Sequence, residues 1–276
     1  MQLKFCLLTC GCCKHPEWSA LRTKSFSPKE FPAHLGLIEH PIHGLILFDT
    51  GYAPRIQQET DDWALRIYNR VLPSIIRADE YLPSQLLKRG HKTEDVKHII
   101  ISHFHPDHIA GLKDFPTANF ICAREAWEKL HKLQGWKAFR QGYISSLLPA
   151  DMVSRLRFIE DAPRYALHEK LTGFNEGHDL FGDGTLIGVS LPGHAVGQYG
   201  LYLQNNDIML IADSCWRSES YRKFILPPSI VMALLHDPAE YKQTLIKLHR
   251  LSLTRSDIRL IPSHCNEITQ EIEGPQ

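Results

Sequence analysis

His103, His105, Asp107 and His108 crowd four metal-competent side chains into six consecutive positions of this 276-residue chain. Imidazole nitrogens and a carboxylate oxygen at that density suit a divalent transition cation. Asp is rarely buried without a partner and His is only intermediate in burial preference, so packing alone does not absorb the cluster. The run Ile99–Ile101 just before it reads as a central strand. In layered α/β folds, chemistry gathers at the carboxyl ends of such strands. The competing reading is a polar loop rich in His, in a chain that has 16 of them.

Three later segments repeat this logic. Gly184–Leu191 is an apolar strand running into Pro192-Gly193-His194. Gln198–Leu203 and Asp207–Ala212 form a hairpin across Asn205-Asn206, and its second strand ends at Asp213. Ile258–Pro262 ends at Ser263-His264. Each time an apolar strand meets a tight turn and then a side chain that can bind metal. Asp49, at the end of a strand and followed by Thr50-Gly51, is either a turn device or a carboxylate that orients a metal-binding His.

The elements that must position these groups follow from pattern. Leu3–Leu8 is a predicted strand, Gly11–Pro32 a surface loop, and Leu35–His40 with Gly44–Asp49 a hairpin. Thr60–Arg89 is helical in pattern with a break at Pro73, and Thr93–Val96 leads into the Ile run. A short strand over Asn119–Ala123 precedes a helix from Glu125 to His131, and a helix over Pro238–Leu251 precedes the last strand. Lys132–Gly173, with Trp136, Phe139 and Tyr143, reads as core or as the wall or lid of a substrate site. A single domain over 1–276 is expected, with helical insertions near 52–95 and 123–173.

Composition narrows the function classes. Formal charge is zero, with 31 basic and 31 acidic residues, which argues against nucleic-acid binding through bulk electrostatics. No apolar run approaches the roughly 18 residues that span a bilayer, so neither a nucleic-acid nor a membrane partner is expected. The apolar part of Met1–Cys10 is too short and too interrupted for a secretory signal, and a cytoplasmic location is expected. Seven Cys, four of them Cys6, Cys10, Cys12 and Cys13, are expected as reduced thiols rather than a disulfide framework. A structural zinc site from Cys10, Cys12, Cys13 and His15 lacks a second Cys pair to close it.

As a set, Asp49-Thr50-Gly51, His103-x-His105-x-Asp107-His108, Pro192-Gly193-His194, Asp213 and His264 resemble the metallo-β-lactamase superfamily, over nearly the whole chain. The resemblance implies a four-layer αββα sandwich with a dinuclear metal site at one sheet edge. By motif position, His103, His105 and His194 would hold one metal, Asp107, His108 and His264 a second, and Asp213 would bridge. Zinc is the expected ion, with iron, manganese and cobalt compatible with nitrogen and oxygen donors. Asp rather than Cys at position 213 speaks against the β-lactam-hydrolysing branch. It favours the branches acting on esters, thioesters, lactones and phosphodiesters.

Within those, the chain is most similar in look to N-acyl homoserine lactone lactonases. A hydroxide held between two divalent metal ions would open a lactone or cleave a related ester of a small-molecule substrate, with Asp107 and Asp213 as catalytic groups. A homodimer is left open. One departure stands out. Lactonases of this kind often carry Tyr three residues after the bridging Asp, and here that residue is Trp216. An indole N–H donates a hydrogen bond but cannot act as an acid. Trp216 is expected to line the pocket, and Tyr221 is a phenol close by in sequence. The rivals are a thioesterase resembling glyoxalase II and a phosphodiesterase. The former usually has a longer helical C-terminal domain than the residues after His264 supply. The latter would use Arg217, Arg222 and Lys223 on phosphate. A flavodiiron-type redox protein would need a flavin domain, and a non-catalytic metal-binding sensor would not need the intact ligand set.

Overall fold

The computed structural model describes residues 3–58 and 61–273, so Met1 and Thr60, at two predicted segment starts, lie outside the described residues. Two mixed sheets dominate. The first contains β1 (Lys4–Pro16), β2 (Pro28–His40), β3 (Gly44–Phe48), β4 (Ser74–Ile75), β5 (Val96–Ile100), β6 (Asn119–Cys122) and β7 (Leu156–Phe158). Its strand order is β4-β1-β2-β3-β5-β6-β7. The second contains β8 (Arg164–Ala166), β9 (Glu176–Asp179), β10 (Leu186–Ser190), β11 (Tyr199–Leu203), β12 (Ile208–Ala212) and β13 (Arg259–Pro262), ordered β13-β12-β11-β10-β9-β8. The helices are α1 (Arg55–Gln58), α2 (Trp63–Val71), α3 (Leu82–Lys88), α4 (Pro106–Ile109), α5 (Arg124–Leu130), α6 (Gly135–Arg140), α7 (Ser218–Lys223), α8 (Ser229–Met232), α9 (Pro238–Thr254) and α10 (Asn266–Glu273).

Side chains alternate faces along a strand, and the second sheet is apolar on both. Leu201, Leu203 and Leu210 join the core shared with the first sheet. Tyr202, Met209 and Ile211 pack with Leu245, Leu248 and Leu251 of α9. The two sheets approach closely at Gly36, where a Cβ would lie 2.8 Å from Leu210 Cδ1. Leu65 of α2, Leu86 of α3 and Leu130 of α5 belong to the same core as β2, β3 and β5. The architecture is the four-layer αββα sandwich expected from the residues at the strand ends.

Two parts of the chain fold differently from their local pattern. The stretch 11–32, predicted as a surface loop, is strand at both ends and a connecting turn between: β1 runs on to Pro16 and pairs with β2 in register from Cys12↔Pro32 to Pro16↔Pro28. A register shift between Thr9 and Cys12 interrupts the alternation that would have revealed it. Between 213 and 238, for which no element was predicted, the chain forms α7 and α8.

The second sheet and α9 together seat the turn that carries His194. Asp237 caps α9 by accepting from Ala239 N and Glu240 N. The Asp237 N–H donates to Gly193 O at 2.9 Å, His236 N–H to His194 O at 3.1 Å, and Thr244 Oγ1 to Pro192 O at 2.7 Å. Gly193 has φ +124°, and a Cβ there would meet Tyr241 N at 2.0 Å, so only glycine allows this contact. Gly193→Ala is expected to lose more than about 3 kcal/mol, from backbone strain plus the clash. That is a drop of roughly 6–12 °C in Tm for a chain of this size. A Tm within about 2 °C of the parent would show that the turn does not depend on this close approach.

Candidate metal centre

Strands β3, β5, β10, β12 and β13 all end at one edge of the sandwich, and each end delivers part of the site. β5 passes through Ile101 and Ser102 to His103 and His105, and Pro106 then opens the one-turn helix α4 that carries Asp107 and His108. The Asp49-Thr50 turn after β3 holds that helix. Thr50 N–H and Oγ1 both donate to His108 O, at 2.9 and 2.8 Å, and Gly111 N–H donates to Thr50 Oγ1 at 3.1 Å. The ends of β10, β12 and β13 supply His194, Asp213 and His264, as their sequence positions predicted.

All seven proposed ligand side chains converge. The ligand atoms of His103, His105 and His194 lie within 4.8 Å of one another, as do those of His103, His108 and Asp213, and those of Asp107, His108 and His264. The imidazoles crowd one another, with ring centroids 4.1 Å apart for His103–His108 and 4.8 Å for His105–His194. Asp213 Oδ2 sits 3.2 Å from His264 Nε2 and 3.3 Å from His194 Nε2, and its Oδ1 sits 3.3 Å from His108 Nε2.

Contacts outside the cluster fix which nitrogen faces in. Asp49 Oδ2 accepts from His108 Nδ1–H at 2.8 Å, while Asp49 Oδ1 accepts from Ser102 N–H at 2.8 Å. His264 Nδ1–H donates to Pro32 O at 2.6 Å. His103 Nδ1 pairs with Ser102 Oγ at 3.0 Å. The Nε2 atoms of His103, His108 and His264 are thereby turned inward. His103 Nε2, His108 Nε2 and Asp213 Oδ1 are buried without a hydrogen-bond partner among the described residues. Buried polar atoms left unpaired are expensive, and three converging on one volume match the donor set of a cation site.

Electrostatics divides the site in two. Burial, then the neighbouring imidazoles His108 and His105, hold His103 well below its ordinary pKa. Burial pulls His194 down to about 3 and also lowers His105. These three stay neutral, the form that metal binding requires, and His194 Nε2 and His105 Nδ1 face each other at 3.0 Å. Burial opposes charge on His108, but Asp49, Asp213 and Asp107 outweigh it and push the imidazole well above its usual value. His264 is raised in the same way against burial, chiefly by Asp213. Burial also opposes charge on Asp213, yet His264, His108 and His194 hold its carboxyl well below the usual range. One half is a trio of neutral nitrogen donors, and the other is rich enough in carboxylate to hold positive charge.

The remaining predicted residues separate. Asp49 contacts His108 and Ser102 as described. Trp216 lines the cleft above the cluster, donates from Nε1 to Asp213 Oδ2 at 2.9 Å and sets its ring edge against His194. Tyr221, placed near the pocket by its position in sequence, is instead in the core behind α9. Its hydroxyl donates to Leu260 O at 3.3 Å because α7 turns that face inward. Arg217 is buried, stacked on Phe31 and hydrogen-bonded to His264 O; Arg222 pairs with Glu267 and Lys223 with Glu219. A second convergent group, His40, His43 and Asp183, does not offer the same donors. His40 Nδ1 accepts from the Ile42 and His43 N–H groups, so its Nε2 carries the proton and has no free lone pair. The four N-terminal thiols are free, and Cys10, Cys12, Cys13 and His15 form no convergent metal group among the described residues.

The cluster floors a cleft of about 420 Å³ whose walls come from α2, the loop after α6, and α8. Several of its residues were missed from sequence. Gly142, at φ +64°, lets its loop pass so close to His105 that a Cβ there would lie 2.3 Å from the ring. Nothing local to Gly142 announces a contact made across the fold. Val231, Leu234 and Leu235 form another wall, and the apolar run after Pro227-Pro228 is the signal that could have found them. Asp49→Asn keeps the shape but places an amide N–H against His108 Nδ1 and favours the wrong tautomer. Affinity for Zn²⁺ is expected to fall roughly 10- to 100-fold in a titration against a chelating dye. Unchanged affinity would mean that Asp49 serves the turn alone.

A profile of the metallo-beta-lactamase superfamily matches residues 29–252. A probable metallo-hydrolase of Mycobacterium tuberculosis is 32% identical over 169 residues, which are 59% of this chain and 50% of that protein, so the match spans half the relative's length. An N-acyl homoserine lactonase of Azorhizobium caulinodans is 27% identical over 201 residues, 72% of this chain and 70% of the relative. The solved structure of an N-acyl homoserine lactone hydrolase, with N-hexanoyl-L-homoserine at its metal centre, superposes with TM-score 0.72 at 17% identity, covering 98% of this chain and 97% of the other. With the αββα sandwich and the site at its edge, the profile match over most of the length makes this chain a member of the metallo-β-lactamase superfamily.

Proposed function

We propose that this protein is a metal-dependent hydrolase of ester-type carbonyl compounds, with lactones as the first substrate class. His103, His105 and His194 are the residues to hold one divalent cation, Asp107, His108 and His264 a second, and Asp213 both. The observation that carries the reading is the set of three buried, unpaired donor atoms converging at the base of an open cleft. Bound there, a pair of divalent ions supplies a water that ionises near neutral pH and an electrophile for a carbonyl oxygen.

The chain's own residues do the remaining work. Asp49 and Ser102 hold His108 and His103 in one orientation, so little reorganisation accompanies reaction. Asp107 is the least enclosed carboxylate of the cluster, with its Oδ2 3.3 Å from His264 Nε2, and is the group placed to pass a proton toward a leaving alkoxide. Trp216 anchors Asp213 and walls the site; it does not supply a proton. Phe139, Ile144 and Leu235 make the walls apolar, which suits an acyl group and excludes water. The cationic side chains after Asp213 are engaged elsewhere, which leaves Arg140 as a cation at the cleft wall, away from the residues a phosphodiester was expected to use.

Metal analysis of the purified protein is expected to give about two equivalents, most readily of zinc. A panel of acyl lactones, thioesters and a chromogenic phosphodiester, assayed with zinc, iron, manganese and cobalt, should show lactone opening as the fastest reaction. Chelation should abolish it and re-addition restore it. His105→Ala and Asp213→Ala should each lower kcat/KM about 1,000-fold with little change in far-UV circular dichroism. Full activity in either variant at unchanged metal content would overturn the assignment. A protein that binds no metal would be a binder that kept the fold.

A further inference from the structure

The mouth of the cleft has a composition unlike the rest of the molecule. Three segments contribute to it: 63–73, which includes α2; 130–150, which includes α6; and 224–236, which includes α8. Together they carry five Lys or Arg and no Asp or Glu, in a chain with 31 of each sign. The five are Arg66, Arg70, Lys132, Lys137 and Arg140; all are exposed, and none makes a side-chain hydrogen bond or ion pair with another described residue.

The same segments hold Trp63, Val71, Trp136, Ile230 and Leu234, five of the ten large apolar side chains exposed among the described residues. Ile230 is 66% exposed and Leu234 79%. Trp63 and Trp136 stack at 5.9 Å, and Phe139 stacks on Trp136 at 5.1 Å, which makes a stiff aromatic ledge beside the opening. Elsewhere on this surface ion pairs with acidic side chains are frequent, as in Arg222–Glu267 and Arg255–Asp257.

We propose that this rim docks on an anionic lipid surface, with the cleft mouth facing the lipid. Exposed Trp and aliphatic side chains enter the headgroup region of a bilayer, while long cationic side chains reach phosphate and carboxylate headgroups around them. A second copy of this chain fits the same face poorly, because five unpaired cations would be buried there against their own copies, with the half-buried Asp62 already engaged in capping α2 and accepting from Ser146. No described helix is long and apolar enough to cross a membrane, so the contact is peripheral. Delivery of an acyl substrate directly from lipid into the cleft would follow, and that corollary alone rests on the hydrolase reading.

Flotation with vesicles tests the docking without any turnover, so its failure and the failure of the hydrolase reading are separate results. The full chain is expected to float with phosphatidylcholine vesicles containing about one-third phosphatidylserine at about 0.1 M salt, and to be released near 1 M. It should not float with phosphatidylcholine alone. Lipids brominated in the acyl chain should quench its Trp fluorescence. K137E combined with R140E should cut partition about 25-fold or more, at roughly five-fold per cation. W136S should weaken both partition and quenching, with the Tm of each variant checked against the parent. Equal recovery with the two vesicle types, or none with either, would overturn the proposal. So would sedimentation velocity showing a dimer that W136S dissociates, which would assign the face to a second copy.

Discussion

A carboxylate buried among imidazoles from both sheets sets the terms for this structure. Asp213 is 3% exposed, and removing a carboxylate from water that completely costs several kcal/mol unless positive charge surrounds it. His108 reaches it from the end of the first sheet, and His194 and His264 from the ends of the second. Neither sheet alone supplies enough. The stacking of the two sheets is therefore tied to the charge balance at their shared edge, through core contacts such as Gly36 against Leu210. Strain accumulates at the same place. Asp49 and Ala212, at φ +65° and +46°, are non-glycine residues in left-handed backbone, and each lies where a strand gives way to the site.

Orientation comes from outside the cluster. The carbonyl of Pro32 on β2 pins His264, although more than 200 residues separate the two. Asp49 pins His108 and Ser102 pins His103, so two groups on neighbouring parallel strands set the inward face of α4. A ring held by one nitrogen can neither flip nor exchange tautomers, and the other nitrogen is left committed to the cluster. The β1–β2 extension acts here too, because it carries β2 past Pro32 to the rim of the site.

The convergence of these side chains was legible in sequence because each of four strand ends is followed, one to four residues on, by a candidate ligand, and that pattern is local. The trio His194, Asp213 and His264 could be paired with the first cluster since a sandwich brings such strand ends to one edge. What sequence could not give was every contact made between distant segments. Residues 11–32 look like a loop because Lys14, His15 and Pro16 follow a register shift, and only the pairing partner restores the strand. Gly142 reads as an ordinary turn glycine, and its role depends on His105 lying beside it. Tyr221 failed for the opposite reason. Five residues beyond Trp216, it seemed near the pocket, but α7 begins between the two and turns Tyr221 into the core with Leu245 and Leu248 while Trp216 lines the cleft.

The indole at position 216 changes how the buried carboxylate is held. Its N–H takes up one lone pair of Asp213 Oδ2 at 2.9 Å, on the oxygen that already faces His264 and His194. Oδ1 is left facing His108 without an aligned donor. The two oxygens are thus made inequivalent, one anchored by a neutral donor and one free to bond. A phenol at this position could point its proton at a substrate and give it up. An indole cannot, and its geometry here turns the donor toward the protein. The proposed reaction gives proton delivery to Asp107, whose carboxylate faces the cleft from α4 and is held by no hydrogen bond to the backbone among those described. Asp107 is the carboxylate of the cluster open to the cleft, and Asp213, enclosed by three imidazoles and an indole, is the fixed point around which the others are arranged.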